Sequence, residues 1–230
     1  SYLVRRATSA GGTYATITTT AATSYDDTTT VNGVPYHYVI VAANAGGQSA
    51  PSSSASAVST GGDTWIAAAD GPWNEPANWQ ASRTAFGAGA TATFNPASTV
   101  TVTQNVPGLT LGGIAFNTAN ATLAGYPLTL DVASGTPDVN VATGVVATLT
   151  TDLNGADGLA KTGPGQLTIS GAWNYSGPTS ISGGTLASGA AAGTSFSLNA
   201  LALNGATLAA ANAGAASLGN FQLRSDVTVG

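Results

Sequence analysis

Alternation of apolar and polar positions dominates this chain. In "PYHYVIVAAN", residues 35–44, Tyr36, Tyr38, Ile40 and Ala42 fall on one face of an extended segment, and His37, Val39, Val41 and Ala43 fall on the other. That pattern predicts a central strand with both faces partly covered. "YLVRRAT", "TYATITT" and "TSYDDTT" read as three more strands, separated by the turn-forming "SAGG", "AATS" and "VNG". Strands this short and regular predict a sandwich over residues 1–59. "PSSSASAVSTGGD", residues 51–63, starts as a last strand and ends as a short joint, placed at 60–64.

From Trp65 the texture changes. After the tryptophan-rich "TWIAAADGPWNEPANWQ" come short alternating runs: "STVTVTQ", "LTLGGIAF", "YPLTLDV", "DVNVATGVVATLTTDL", "GQLTIS", "TSIS", "FSLNALAL" and "FQLRSDVTV". A tripeptide recurs at Ala121-Thr122-Leu123, Ala147-Thr148-Leu149, Gly184-Thr185-Leu186 and Ala206-Thr207-Leu208, at offsets of 26, 37 and 22 residues. Irregular periods above about 20 residues predict stacked coils with insertions. Leu, Val, Ile and Ala would point inward, each onto the same position of the next coil. The expected architecture of 65–230 is a right-handed parallel β-helix with a tryptophan-rich N-terminal cap. At roughly 22 residues and about 4.8 Å per coil, residues 95–230 make about six coils, near 30 Å. The chain closes on "LRSDVTVG" in mid-strand, so the rod is expected to continue beyond Gly230.

Composition narrows the function. Only 7% of residues are charged and the net charge is −5, so no basic stripe is available for nucleic acid or for an anionic membrane. The longest apolar run, "YVIVAANA", is strand-sized and no stretch reaches a membrane span. Cysteine is absent, which suits a reducing compartment or an extracellular bacterial protein. With neither a signal peptide nor an initiator Met, the sequence is expected to be a piece of a longer chain.

Two stretches resemble known families. "TSYDDTTTVNGVPYHYVIVAANAGGQSAPS" resembles the later strands of a fibronectin type III domain, through Asp27, Gly33, Tyr36, Tyr38, Asn44, Gly46, Gly47 and Ser49. The first two strands of such a sandwich have no counterpart, which implies that they lie upstream or are supplied by another chain. "GLAKTGPGQLTISGAWNYSGPTSISGGTL", residues 158–186, resembles the autotransporter-associated β-strand repeat, through Lys161, Thr162, Gly163, Gly165, Leu167, Ile169, Gly171, Tyr175, Gly177, Thr179, Ile181, Gly184, Thr185 and Leu186. The tryptophan cluster and "VPGLTLGGIAFN" are similar to the start of bacterial β-helix domains carrying that repeat.

Candidate chemistry is sparse. Lys161 is the only lysine, and its place in a structural repeat makes it a turn-flanking, solvated residue in preference to a catalytic base. Asp152, Asn154 and Asp157 in "DLNGADG" are the candidate ligands for Ca²⁺, short of a full calcium loop, and Asn-Gly is first a turn signal. No other cofactor is expected. Asp131 and Asp138 are a carboxylate pair that could serve glycoside hydrolysis, although such aspartates more often end strands. Trp65, Trp73 and Trp79 offer either a sugar-stacking platform or a plug over the first coil. Glu75 between them reads as part of a turn. His37 has no Ser or Cys partner for a triad or a zinc site. "GAAAGTS", residues 189–195, lacks the lysine of a phosphate loop.

The composite expectation is a non-enzymatic, extracellular bacterial surface protein: an adhesive β-helical stalk or fibre segment, whose partners are copies of itself, other chains of a fibre, or glycans. The alternative is a polysaccharide-binding or polysaccharide-degrading module on the same helix.

Overall fold

Extended strands and tight turns account for nearly all of the described residues, because β-branched and small residues alternate over short runs punctuated by glycine. The computed structural model describes residues 1–189, 196–210, 221–223 and 228–229. Among these, the single helical element is a 3₁₀ turn at Pro76–Asn78. The chain divides into two units, 1–59 and 60–230. Thr60–Thr64, read from sequence as a joint, carries structure: Gly61 bridges Phe86, and a strand begins at Asp63.

The first unit is one antiparallel sheet. Strand β1 (Tyr2–Ala7) lies between β2 (Ala15–Thr20) and β3 (Pro35–Asn44), and the far side of β3 is shared by β4 (Gly47–Gln48) and β5 (Ala55–Val58). β3 is central, as its alternation predicts. Val39 and Val41 are buried on one face, while Ile40 on the other remains 39% exposed. No second sheet faces this one within the unit, so the described residues do not build the expected sandwich.

"TSYDDTT" also departs from expectation, forming a loop where a strand was predicted. Asp27 is the reason. Its Oδ1 accepts from the Thr29 backbone N–H at 3.0 Å and from Thr29 Oγ1 at 2.7 Å, which bends the chain locally. Its Oδ2 accepts from Arg6 at 2.6 Å and from the Tyr38 hydroxyl at 3.0 Å, tying that bend to β1 and β3. Arg6 in turn lies 4.5 Å from the centre of the Tyr36 ring.

Burial alone would raise the Asp27 pKa, but the donors from Thr29, Arg6 and Tyr38 outweigh it and hold the carboxyl at about 2. A carboxyl depressed in the folded state stabilises fully above its unfolded value near 3.8, and that contribution is lost as pH falls toward 2. Between pH 4 and 2 the first unit therefore loses about 2 kcal/mol through this group. Asp27→Asn should flatten that acid limb in a denaturant titration repeated across the window. An unchanged acid limb would refute the assignment.

The second unit is a parallel β-solenoid of about five turns with three walls. Its strands are β6 (Asp63–Trp65), β7 (Gly71–Pro72), β8 (Gly87–Phe94), β9 (Val100–Gln104), β10 (Thr110–Phe116), β11 (Ala121–Gly125), β12 (Leu128–Leu130), β13 (Asp138–Val141), β14 (Val146–Leu149), β15 (Leu153–Gly155), β16 (Leu159–Thr162), β17 (Gln166–Ile169), β18 (Trp173–Tyr175), β19 (Pro178–Ile181), β20 (Thr185–Ser188), β21 (Phe196–Leu203), β22 (Thr207–Ala210), β23 (Phe221–Leu223) and β24 (Thr228–Val229). One wall stacks β6, β8, β10, β13, β16, β19, β21 and β24, and a second stacks β7, β9, β11, β14, β17, β20 and β22. The third runs from the start of β10 through β12 and β15 to β18. Strand β10 turns the corner between walls at Gly112, where a Cβ would sit 2.3 Å from the backbone of Gly89.

Inward side chains form columns. Ala121, Ala147, Leu167, Leu186 and Leu208 follow one another along the second wall, and Phe94 stacks on Phe116 at 4.9 Å. This register revises the tripeptide repeat. Leu186 rests on Leu167 and so continues the column of Ala147, two residues away from the column of Leu149. Leu167-Thr168-Ile169 supplies the turn hidden inside the 37-residue offset. A slip of two keeps every inward residue inward, because the side-chain period is two. The estimate of six coils assumed equal turns, whereas the path from Leu128 to its stacking partner Leu153 is longer than that from Leu153 to Trp173.

Candidate functional site

The three tryptophans of the N-terminal segment converge around Phe94. Trp79 meets Trp65 edge-on at 5.5 Å and Trp73 at 4.8 Å, and Phe94 lies 6.0–6.3 Å from all three rings. Trp65 and Trp73 are 0% exposed and Trp79 1%. Each indole N–H is satisfied inside the unit: Trp65 donates to Ala67 O at 3.1 Å, Trp73 to Ala85 O at 3.1 Å and Trp79 to Trp73 O at 2.8 Å. The sugar-stacking reading of Trp65, Trp73 and Trp79 is therefore corrected. No ring face is open to a ligand, and the cluster is packed core at the start of the solenoid. Glu75 works locally, its side chain accepting from the Ala77 N–H at 3.2 Å where the 3₁₀ turn begins.

The acidic candidates are dispersed across turns. Asp152 Oδ1 accepts from the Ala172 N–H at 2.8 Å, whereas Asp157 Oδ2 accepts from the Val132 N–H at 3.0 Å, on the opposite side along the stack. Asn154 stands in an outward column with Thr129 and Asn174. The proposed calcium trio is thus three separate turn and ladder residues, and no cluster of three His, Cys, Asp or Glu forms among the described residues. Asp138 belongs to another ladder: Asn140 donates to Thr162 Oγ1 at 2.9 Å, and Thr162 Oγ1 donates to Asp138 at 2.7 Å. Asp131 is exposed, and its backbone carbonyl accepts from the Gly89 N–H at 2.9 Å.

Lys161 overturns the solvated reading. It is 0% exposed, in register with Val139 on one turn and Ile181 on the next, both core positions. Its ammonium donates to Thr162 O at 2.7 Å, Gly163 O at 2.8 Å and Gly183 O at 3.2 Å. Burial pushes the Lys161 pKa down to about 8, opposed by the charge of Asp138. Strand alternation carried the signal: Leu159 and Lys161 are two residues apart and share the inward face. In the same turns, burial raises the Tyr175 phenol pKa, and its oxygen shares a hydrogen bond with Thr179 Oγ1 at 2.9 Å.

Two further surfaces face outward. In the first unit, Tyr2, Tyr25, Tyr36, Tyr38, Ile40 and Asp26 help line a cleft of about 690 Å³. On the second wall of the solenoid, Thr101, Thr122, Thr148 and Thr168 stack in one outward column. The first three are half-buried, leaving hydroxyls along the wall. Thr168 is covered, its Oγ1 accepting from Gln166 at 3.0 Å. "GAAAGTS" falls, apart from Gly189, outside the described residues. No helix among the described residues is long and apolar enough to cross a membrane.

No solved structure matches the chain. A stretch of 109 residues, 47% of this chain, is 38% identical to the adhesin BmaC autotransporter of Brucella suis biovar 1 (strain 1330), and the match spans about 3% of that protein's length. Residues 159–187, the turns from β16 to β20 with Lys161 at their first corner, match the family described as Passenger-associated-transport-repeat.

Proposed function

We infer that this chain is a section of a bacterial surface adhesin, a stiff right-handed β-helical stalk whose outward walls make contact with other surfaces. The observation that carries this reading is the coincidence of the passenger-type repeat at 159–187 with a regular part of the parallel stack. Continuous hydrogen bonding between turns gives such a stack its stiffness. Columns of Thr and Asn supply hydroxyl and amide groups at the spacing of the strands. The similarity to an autotransporter adhesin supports a surface-exposed or secreted location. Copies of the chain, other chains of a surface fibre, and glycans on an opposing surface are the partners this role implies, met through the walls and not through the tryptophans.

The polysaccharide-degrading alternative draws no support from the site. The indoles are covered, and Asp138, Asp152 and Asp157 each hold a donor from the fold. Beads coated with the 230-residue chain should resist detachment by flow from an epithelial cell layer several-fold better than beads coated with albumin. Equal detachment would overturn an adhesive role for this section.

A further inference from the structure

We propose that the turn carbonyls of Thr162, Gly163 and Gly183 form a binding site for one compact monovalent cation, which the chain fills from within through Lys161. Three observations support it. First, the ammonium has three N–H donors and meets three carbonyl oxygens, two from its own turn and one from the next. Among the described residues no carboxylate lies within ion-pair distance of Lys161, so its direct partners are neutral carbonyl dipoles and Asp138 acts on it only from farther away.

Second, the backbone and not the lysine places those oxygens. Gly163 has φ +74° and Gly184 has φ +62°, a conformation that side chains disfavour. A Cβ at Gly163 would lie 2.4 Å from Val141 O, and one at Gly184 would lie 2.2 Å from Gly165 O. Successive turns approach here more closely than a side chain allows, and a Cβ at Gly183 would lie 3.1 Å from Gly163 O, so two of the three oxygens sit on backbone whose spacing the turns themselves set.

Third, the wall itself makes no demand for charge at this position. The residues above and below Lys161 are Val139 and Ile181. What this corner offers instead is three carbonyl oxygens converging on one point, the Lys161 ammonium. Three neutral carbonyls fall short of the six or more oxygens that calcium takes, but they match the N–H donors of an ammonium ion one for one, and they suit a potassium ion that keeps part of its water shell.

The test is chemical replacement in the 230-residue chain. Lys161→Ala removes the ammonium and opens its space, which should lower the melting temperature of the second unit by about 5–10 °C. Ammonium or potassium chloride should recover at least half of that loss with a saturable dependence, whereas tetramethylammonium chloride at equal ionic strength should not. Lys161→Met fills the space with an apolar chain, so it should respond alike to all three salts. The proposal falls if Lys161→Ala shows no preference for the small cations, if Lys161→Met shows the same preference, or if Lys161→Ala stays unfolded in every salt.

Discussion

Trp79→Ala should lower the stability of the second unit by about 3–5 kcal/mol, measured by urea denaturation followed through the remaining tryptophans. Trp79 stands between two other indoles, closing on Trp65 and Trp73 edge-on, and its ring packs within 6.3 Å of Phe94. Removing it opens a cavity that rigid neighbours cannot fill, and it strips Trp73 O of its donor. Trp79 also pairs with Trp65 through an isolated bridge, so its backbone and its side chain serve the same closure. Trp79→Phe keeps most of the volume and loses only the indole hydrogen bond and part of the contact, so it should cost about half as much. Equal costs for the two variants would show that the hydrogen bond, and not the packing, holds the cluster.

The second large effect concerns a corner glycine. Gly158 has φ +89°, and a Cβ there would lie 2.0 Å from Pro178 O on the next turn. Gly144 has a similar φ of +76° but open space around its missing Cβ. Gly144→Ala therefore carries only the left-handed backbone penalty, about 1 kcal/mol. Gly158→Ala adds an overlap with fixed backbone and should cost about 3 kcal/mol or more. Urea midpoints of the two variants, taken side by side, separate conformational preference from the clearance between turns. If both fall equally, the turns are not in the close contact described.

Legibility varied with how strongly each segment alternates. "PYHYVIVAAN" carries large β-formers at every second position, and its strand appears where the pattern put it. Strand β8, "GAGATATF", stands between β6 and β10 in the first wall and was missed, because glycine and alanine give alternation little amplitude. Its inward residues, Ala90, Ala92 and Phe94, are buried all the same. "TSYDDTT" looked like a strand by composition, but Asp27 Oδ1 closes a turn onto Thr29.

The three tryptophans could be read as a plug because a stack needs its first layer covered. Lys161, read as solvated from its place beside a repeat turn, is buried because it stands two residues from Leu159 on the inward face. Period two is a geometric constraint that charge does not relax, and here the backbone supplies the compensation.

The two-residue slip between the columns of Leu149 and Leu186 bears on how such a chain can change over generations. A duplication or deletion that shifts a strand by two leaves its oily residues facing the interior, whereas a shift by one turns the segment inside out. Length change in this wall is thus filtered by parity, so lineages that copy and trim whole turns can drift in steps of two while the interior stays dry.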